Sequence, residues 1–244
     1  MKRRLPAGRR TLPFAAGVFI LALLVRLPAS FATLLLPPEI QLREVEGTFW
    51  NGRASALGID GRLLQEQLSW NFLPRALLEA KLAWAVGGRL SDQNSRLELA
   101  IHPGSVELRE VSLVLPLEPL AALHPRLKPA QLGAVLRVSA KSLNLDGRSP
   151  MAATVAVEHL FTPLSPQGEL GSYRLDGKSD GAGRGDWQIA TVSGALRVSG
   201  KGTFDIGRAQ AGGQLTLTPQ SPIPGLSPLL ASLPRAGEGY SLSF

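Results

Sequence analysis

Residues 136–147 read LRVSAKSLNLDG. Leu136, Val138 and Ala140 alternate with Arg137, Ser139 and Lys141, so one side of this segment is apolar and the other polar. Period two marks a half-buried strand, because successive side chains leave a strand on opposite faces. Leu143 and Leu145 continue in the opposite phase, which predicts a bulge near Lys141–Ser142. Asp146-Gly147 then supplies the positive φ angles that a tight reversal needs.

The same grammar recurs outward in both directions. Leu97, Leu99 and Ile101 alternate with Glu98, Ala100 and His102. Leu196 and Val198, then Phe204 and Ile206, keep one parity across Gly200 and Gly202, and Leu215 and Leu217 alternate with threonines. Further turn signals stand at Asn51-Gly52, Asp60-Gly61, Asp176-Gly177 and Asp180-Gly181. The chain from Ile40 onward is therefore expected to be mainly β, a twisted antiparallel meander with one wet face. Helical pieces are few and short: Arg75–Ala80 after Pro74, Leu120–Leu127, and Gly225–Leu233 with Pro228 in its first turn. Segment 163–186 reads as the most loop-like stretch.

The N-terminus is different. Lys2, Arg3, Arg4, Arg9 and Arg10 precede the uncharged run Phe14–Val25, and the apolar character continues past Arg26 to Leu36. The uncharged run alone would cover about 18 Å as a helix, short of the roughly 30 Å hydrocarbon core. With Arg26 snorkelling to the interface the span lengthens to about 20 residues. A single transmembrane anchor is expected over residues 13–36, after a cytoplasmic basic tail at 1–12 and before a periplasmic β-rich domain at 37–244. The positive tail points inward, against three acids and one base in Glu39–Glu46. A cleaved signal peptide is the alternative, with Ser30-Phe31-Ala32 as a small-x-small site; either reading exports the rest of the chain.

Net charge is +7, but removing the five basic residues of the tail leaves 21 basic against 19 acidic. The body thus lacks the basic face of a nucleic-acid binder. The chain has no cysteine, which excludes disulfides, thiol nucleophiles and cysteine-ligated metals. His102, His124 and His159 are scattered, and there is no HExxH and no G-x-S-x-G. Gly181-Ala182-Gly183-Arg184-Gly185 leads into Trp187-Gln188-Ile189, a strand, where phosphate loops need a helix, so it reads as a sheet turn. The pairs Glu44/Glu46 and Glu107/Glu110 read as a solvated strand face, and the four tryptophans as packing. The alternation of Tyr240, Leu242 and Phe244 reads as a last strand closing a sheet rather than a membrane barrel. No catalytic site, metal or cofactor is expected.

Residues 46–54, EGTFWNGRA, place Phe49 and Trp50 between two glycines. With Asn51-Gly52 as a two-residue turn, Trp50 would pair with Arg53, Phe49 with Ala54 and Gly47 with Ala56. Arg53 would lie over the Trp50 ring, and Trp70 would return to the same corner.

These residues carry a resemblance. The chain resembles type II secretion system protein N, also called general secretion pathway protein N. The matching pieces are Leu27-Pro28-Ala29-Ser30; the block Gly47-Thr48-Phe49-Trp50-Asn51-Gly52-Arg53-Ala54; and Trp70 with Pro74 and Leu77-Leu78. Further on come Leu115-Pro116-Leu117 with Pro119-Leu120, then Leu170-Gly171-Ser172-Tyr173, and finally Gly239-Tyr240-Ser241-Leu242. Their order covers nearly the whole chain, with 174–220 matching least. The resemblance implies a non-enzymatic, single-pass inner-membrane protein of a Gram-negative bacterium. Its sheet would lie in the periplasm, its partners would be other secretion subunits, and it would bind no cofactor. The layout is also similar to AsmA-type envelope proteins that hold lipid in a sheet groove. The mixed faces at Arg137–Lys141 and Gln65–Gln67 argue against a long apolar groove.

Overall fold

A computed structural model describes residues 19, 22–123, 131–163, 165, 168–208, 210–220, 223, 226 and 230–244. Fifteen strands form one antiparallel sheet. In chain order they are β1 Ile40–Arg43, β2 Glu46–Gly47, β3 Asn51–Ile59, β4 Arg62–Phe72, β5 Leu82–Leu90, β6 Gln93–His102, β7 Ser105–Pro116 and β8 Gly133–Asn144. They continue as β9 Pro150–Phe161, β10 Glu169–Asp180, β11 Arg184–Ser193, β12 Leu196–Asp205, β13 Gln210–Pro219, β14 Arg235–Ala236 and β15 Gly239–Ser243. From β3 to β13 each strand lies beside its neighbours in sequence, the meander that the alternation predicts. β1 and β2 share the outer edge of β3, and β14 pairs the far side of β15.

The face rule is clearest from β8 to β15. One row of paired residues runs Val138, Val155, Leu175, Ile189, Gly200, Leu215, Leu242. The adjacent row runs Ser139, Thr154, Asp176, Gln188, Lys201, Gln214, Ser243. Every strand thus contributes an apolar residue to one face and a polar one to the other, and the hydrophobic pattern fixes the register. The mixed sequence at Arg137–Lys141 is this same alternation, so the argument it offered against an apolar face does not hold.

Open sheets of more than about ten strands usually curl. Here the N-terminal half rolls until the Gln65 side-chain amide of β4 donates to the Val114 carbonyl of β7, across two intervening strands. Ser95 reaches the same residue, its hydroxyl accepting from Val114 N at 2.9 Å. One α-helix, α1 Leu117–Leu123, buries Pro119 and Ala121.

Several local expectations change. β10 runs for 12 residues through the segment read as a loop. Asp176-Gly177 sits in its middle, with Gly177 paired to Ala153 and Trp187. The glycine hid an alternation in which Tyr173, Leu175 and Gly177 face one way and Arg174, Asp176 and Lys178 the other. Asp60-Gly61, Asp146-Gly147 and Asp180-Gly181 do lie at chain reversals. β8 has no register shift at Lys141–Ser142; the slip lies between β6 and β7, beside Glu110 with its φ of 47°. Arg75–Ala80 corresponds to a 3-10 turn, Pro74–Glu79, ended by Ala80 at φ 53°. The helix expected at Leu120–Leu127 starts earlier, as α1, and residues 124–130 lie outside the described part. Of Gly225–Leu233, residues 226 and 230–233 are described, with Leu230 and Ala231 helical.

Residues 22–25 are helical and end at Arg26; a separate 3-10 turn, Ala29–Leu35, follows. No helix among the described residues is long and apolar enough to cross a membrane. Lys2, Arg3, Arg4, Arg9 and Arg10, with most of the apolar run after them, lie outside the described residues.

Candidate functional site

Two places are built beyond what a plain sheet needs: an aromatic corner at β3 and an uncovered apolar groove on the β8–β15 half.

At the corner the hairpin register differs from the one expected. Glu46 pairs with Arg53 and Gly47 with Gly52, leaving Thr48, Phe49, Trp50 and Asn51 as the reversal. Thr48 N donates to Asn51 O at 2.8 Å, and the Thr48 hydroxyl accepts from Asn51 N at 3.0 Å. This local network, with Gly47 at φ 91°, outcompetes a two-residue Asn-Gly turn. Arg53 therefore does not lie over Trp50. Its guanidinium grips the Glu46 carboxylate at 2.6 and 2.8 Å.

Freed from strand pairing, the two aromatics turn into a ring cluster. Phe49 meets Trp50 and Trp84 edge-on at 5.3 and 5.6 Å, Trp50 meets Phe72 at 4.9 Å, and Trp50 stacks on Trp84 at 6.2 Å. Offset and edge geometries of this kind add about 0.5–1.5 kcal/mol per pair beyond burial. Trp70 does return to this corner: it pairs with Gly52 and its indole donates to Phe49 O at 3.1 Å. Gly52 is required, because a Cβ there would stand 2.4 Å from Trp70 Cζ2. Pro74 opens the 3-10 turn that follows β4.

The corner holds what precedes it in the chain. The Trp50 indole donates to Leu24 O at 2.7 Å, a carbonyl in the last helical turn that also accepts a longer bond from Leu27 N at 3.4 Å. Phe49 N donates to Leu27 O at 2.8 Å, Pro28 bridges Thr48, and Ala29 is buried against Ala54, Trp70 and Trp84. The sequence pointed to this block without revealing this task; the signal lay in the pairing of two bulky aromatics with the Leu-Pro-Ala-Ser element.

The second place is a groove of about 480 Å³ on the apolar face, lined by residues of β8 to β13 and Phe244. Beside it, at the strand ends, lies a charged hollow of about 990 Å³, which shares Phe204 and Ala211 with the groove. Lys178, Arg184 and Arg208 there are matched by Asp180, Asp186 and Asp205, so it carries no excess of either sign.

Titratable groups serve the wet face. The Arg109 guanidinium holds Glu107 below the usual carboxylate range, against the opposing pull of burial. Asp176 is lowered first by the Thr154 hydroxyl, which donates to it at 2.6 Å, and then by Arg174. Glu110 sits at the β7 irregularity and Glu44 at the break between β1 and β2, both with positive φ. His159 pairs with Glu169 at 3.1 Å, and His124 lies outside the described residues. The Gly181–Gly185 stretch is a reversal in which Asp180 accepts from Ala182 N at 2.7 Å. Among the described residues no three His, Cys, Asp or Glu side chains cluster as metal ligands would.

Sheet, corner and groove define a mainly β protein built on one antiparallel meander. The chain matches the family Type II secretion system (T2SS), protein N, over residues 38–243 and belongs to that family. Neither the curated proteins nor the solved structures contain a match. Family membership makes the chain a component of the type II secretion system, an accessory rather than a known enzyme.

Proposed function

We propose that this protein is a non-enzymatic subunit held in the inner membrane by its N-terminal apolar segment. Its sheet lies in the periplasm and meets other secretion components during export of folded proteins across the outer membrane. The observation that carries the anchoring half is the bond from the Trp50 indole to Leu24 O. The corner grips the end of an apolar helix whose Phe19 and Val25 are 65% and 60% exposed. Exposed apolar side chains on a helical stretch that follows a basic tail in the sequence fit a lipid surrounding. Cleavage after Ala32 would remove Leu24, Leu27 and Ala29, the groups the corner holds, so an uncleaved anchor that ends near Arg26 fits better than a signal peptide.

Two measurements test this. Intact-mass analysis of membrane-extracted protein should find the N-terminal segment retained; a mature chain starting near Thr33 would end the anchor reading. Affinity capture of the full chain from detergent-solubilised membranes should recover secretion-system subunits. Recovering none, under conditions where the other subunits still capture one another, would refute the subunit reading.

A further inference from the structure

Among the described residues, the apolar face of β9–β13 is covered at one end only. Where β9 and β13 finish, Ile223, Leu226 and Leu230 pack over Tyr173, Leu196 and Val198 in a dry cluster. Toward the other end that cover is missing, and the face becomes the groove of about 480 Å³. Met151, Val155, Leu175, Ile189, Leu215 and Phe244 are among its walls.

Its floor is shaped for depth. Trp187 lies flat across two glycines: a Cβ on Gly213 would stand 2.4 Å from its Cζ2, and one on Gly202 2.7 Å from its Cε2. It stacks on Phe244 at 5.8 Å. Phe204 lies the opposite way, over Gly185, where a Cβ would stand 2.3 Å from its Cζ. Two large rings are thus folded down into glycine gaps instead of standing up to fill the space.

The lining decides the chemistry. Among the described lining side chains the one N–H or O–H donor is the Trp187 indole, and the Met151 thioether is a weak acceptor. An extended peptide laid in the groove would leave its own N–H and C=O groups without partners, at a cost of a few kcal/mol each. An acyl chain has no polar group to strand, and each CH₂ it buries contributes about 0.8 kcal/mol.

The mouth decides the source. It lies at the end of the sheet bearing the reversals at 145–149, 181–183 and 206–208. The strand directions put the 48–51 hairpin, the helix end at 22–26 and the 3-10 turn Pro74–Glu79 at that same end. Leu34 and Leu78 are exposed there, at 76% and 91%. By strand direction the groove and the N-terminal helix thus adjoin the same ends of the strands that carry them.

We infer that the groove binds one acyl chain of a membrane phospholipid, which enters from the end where the N-terminal helix joins the sheet. The source of the lipid rests on the anchor reading of the preceding section.

The test uses the full chain in phosphatidylethanolamine–phosphatidylglycerol vesicles that contain a phospholipid with a photoactivatable diazirine in its acyl chain. After illumination, labelled peptides are mapped by mass spectrometry. Labelling is expected on peptides of β9, β10 and β11 as well as on residues 13–26. Ala153→Trp places a ring in the groove and should lower groove labelling about tenfold, as excluding about two buried CH₂ groups would, while labelling of 13–26 stays constant. Leu175→Asn, a smaller change, serves the same purpose if the first variant does not fold. Labelling confined to 13–26 overturns the groove proposal and leaves the anchor standing. Groove labelling without labelling of 13–26 supports the site and refutes the anchor; no labelling in either place overturns both. Groove labelling that both folded variants leave undiminished, or crosslinks from the groove to a second protein in its place, also overturns the proposal.

Discussion

Two side chains do work that their residue type alone does not announce. Trp50 joins a hairpin to a helix through a single indole N–H. Trp50→Phe keeps most of the ring packing and removes that donor. It should cost about 1 kcal/mol, the usual net value of one hydrogen bond, in denaturation followed by the fluorescence of the remaining tryptophans. Tyr173 is buried, its hydroxyl donating to Leu196 O at 2.8 Å, and burial pushes its pKa up to about 12. The unfolded value is about 10. A folded pKa raised above the unfolded one gives stability that is complete below pH 10 and drains away as pH rises toward 12. The chain has two tyrosines, so tyrosinate absorbance should show one late titration, and Tyr173→Phe should abolish it together with the matching alkaline loss of stability. An unchanged profile in that variant would assign the effect elsewhere. Gly52 belongs to the same scale: Gly52→Ala should destabilise by about 1–3 kcal/mol in urea melts, because the new Cβ meets the Trp70 ring.

At the scale of elements, the alternation in residues 136–140 was enough to predict the strand type and the wet face. What it could not predict was where a strand survives its own glycines. β10 looked like a loop because Gly177 interrupts the apolar parity and Asp176-Gly177 mimics a turn. A Cβ on Gly177 would meet Phe204 Cε1 at an ordinary 3.9 Å, so the rings do not demand the glycine; what makes the segment a strand is its pairing to β9 and β11, and a reading of one strand at a time cannot see that. The hairpin at 48–51 failed for a different reason. The Thr48–Asn51 hydrogen bonds are local but specific to four residues, and they shift the register by enough to exchange the Trp50–Arg53 pair for Glu46–Arg53. If β10 is a central strand, paired to β9 and β11 along its length, its amides from Leu175 to Ser179 should exchange with solvent as slowly as those of β9. Fast exchange there, with β9 protected, would restore the loop reading.

The whole molecule is an open meander in which strands touch mainly their sequence neighbours. Two separate cores result. One gathers Ala29, Ala54, Trp70 and Trp84 at the N-terminal corner, and the other Leu170, Tyr173, Leu196, Val198 and Ile223 toward the far edge. Family membership was legible in the residues because its marks are concentrated in the corner and at a few turns. The groove was not, because its lining comes from six strands and Phe244, and each strand contributes only one to three residues. The same dispersal bears on stability. Nearest-neighbour architectures lose all-or-none behaviour when their parts are joined by local interfaces alone. Three of the four tryptophans, Trp50, Trp70 and Trp84, belong to the N-terminal corner, so Trp187→Phe leaves fluorescence as a reporter of that core only. Denaturation of this variant followed by fluorescence should give a midpoint different from that found by hydrogen exchange of β12 and β13 amides in the same solutions. Coincident midpoints would mean that the curl which brings Gln65 to Val114 couples the two ends into one cooperative unit.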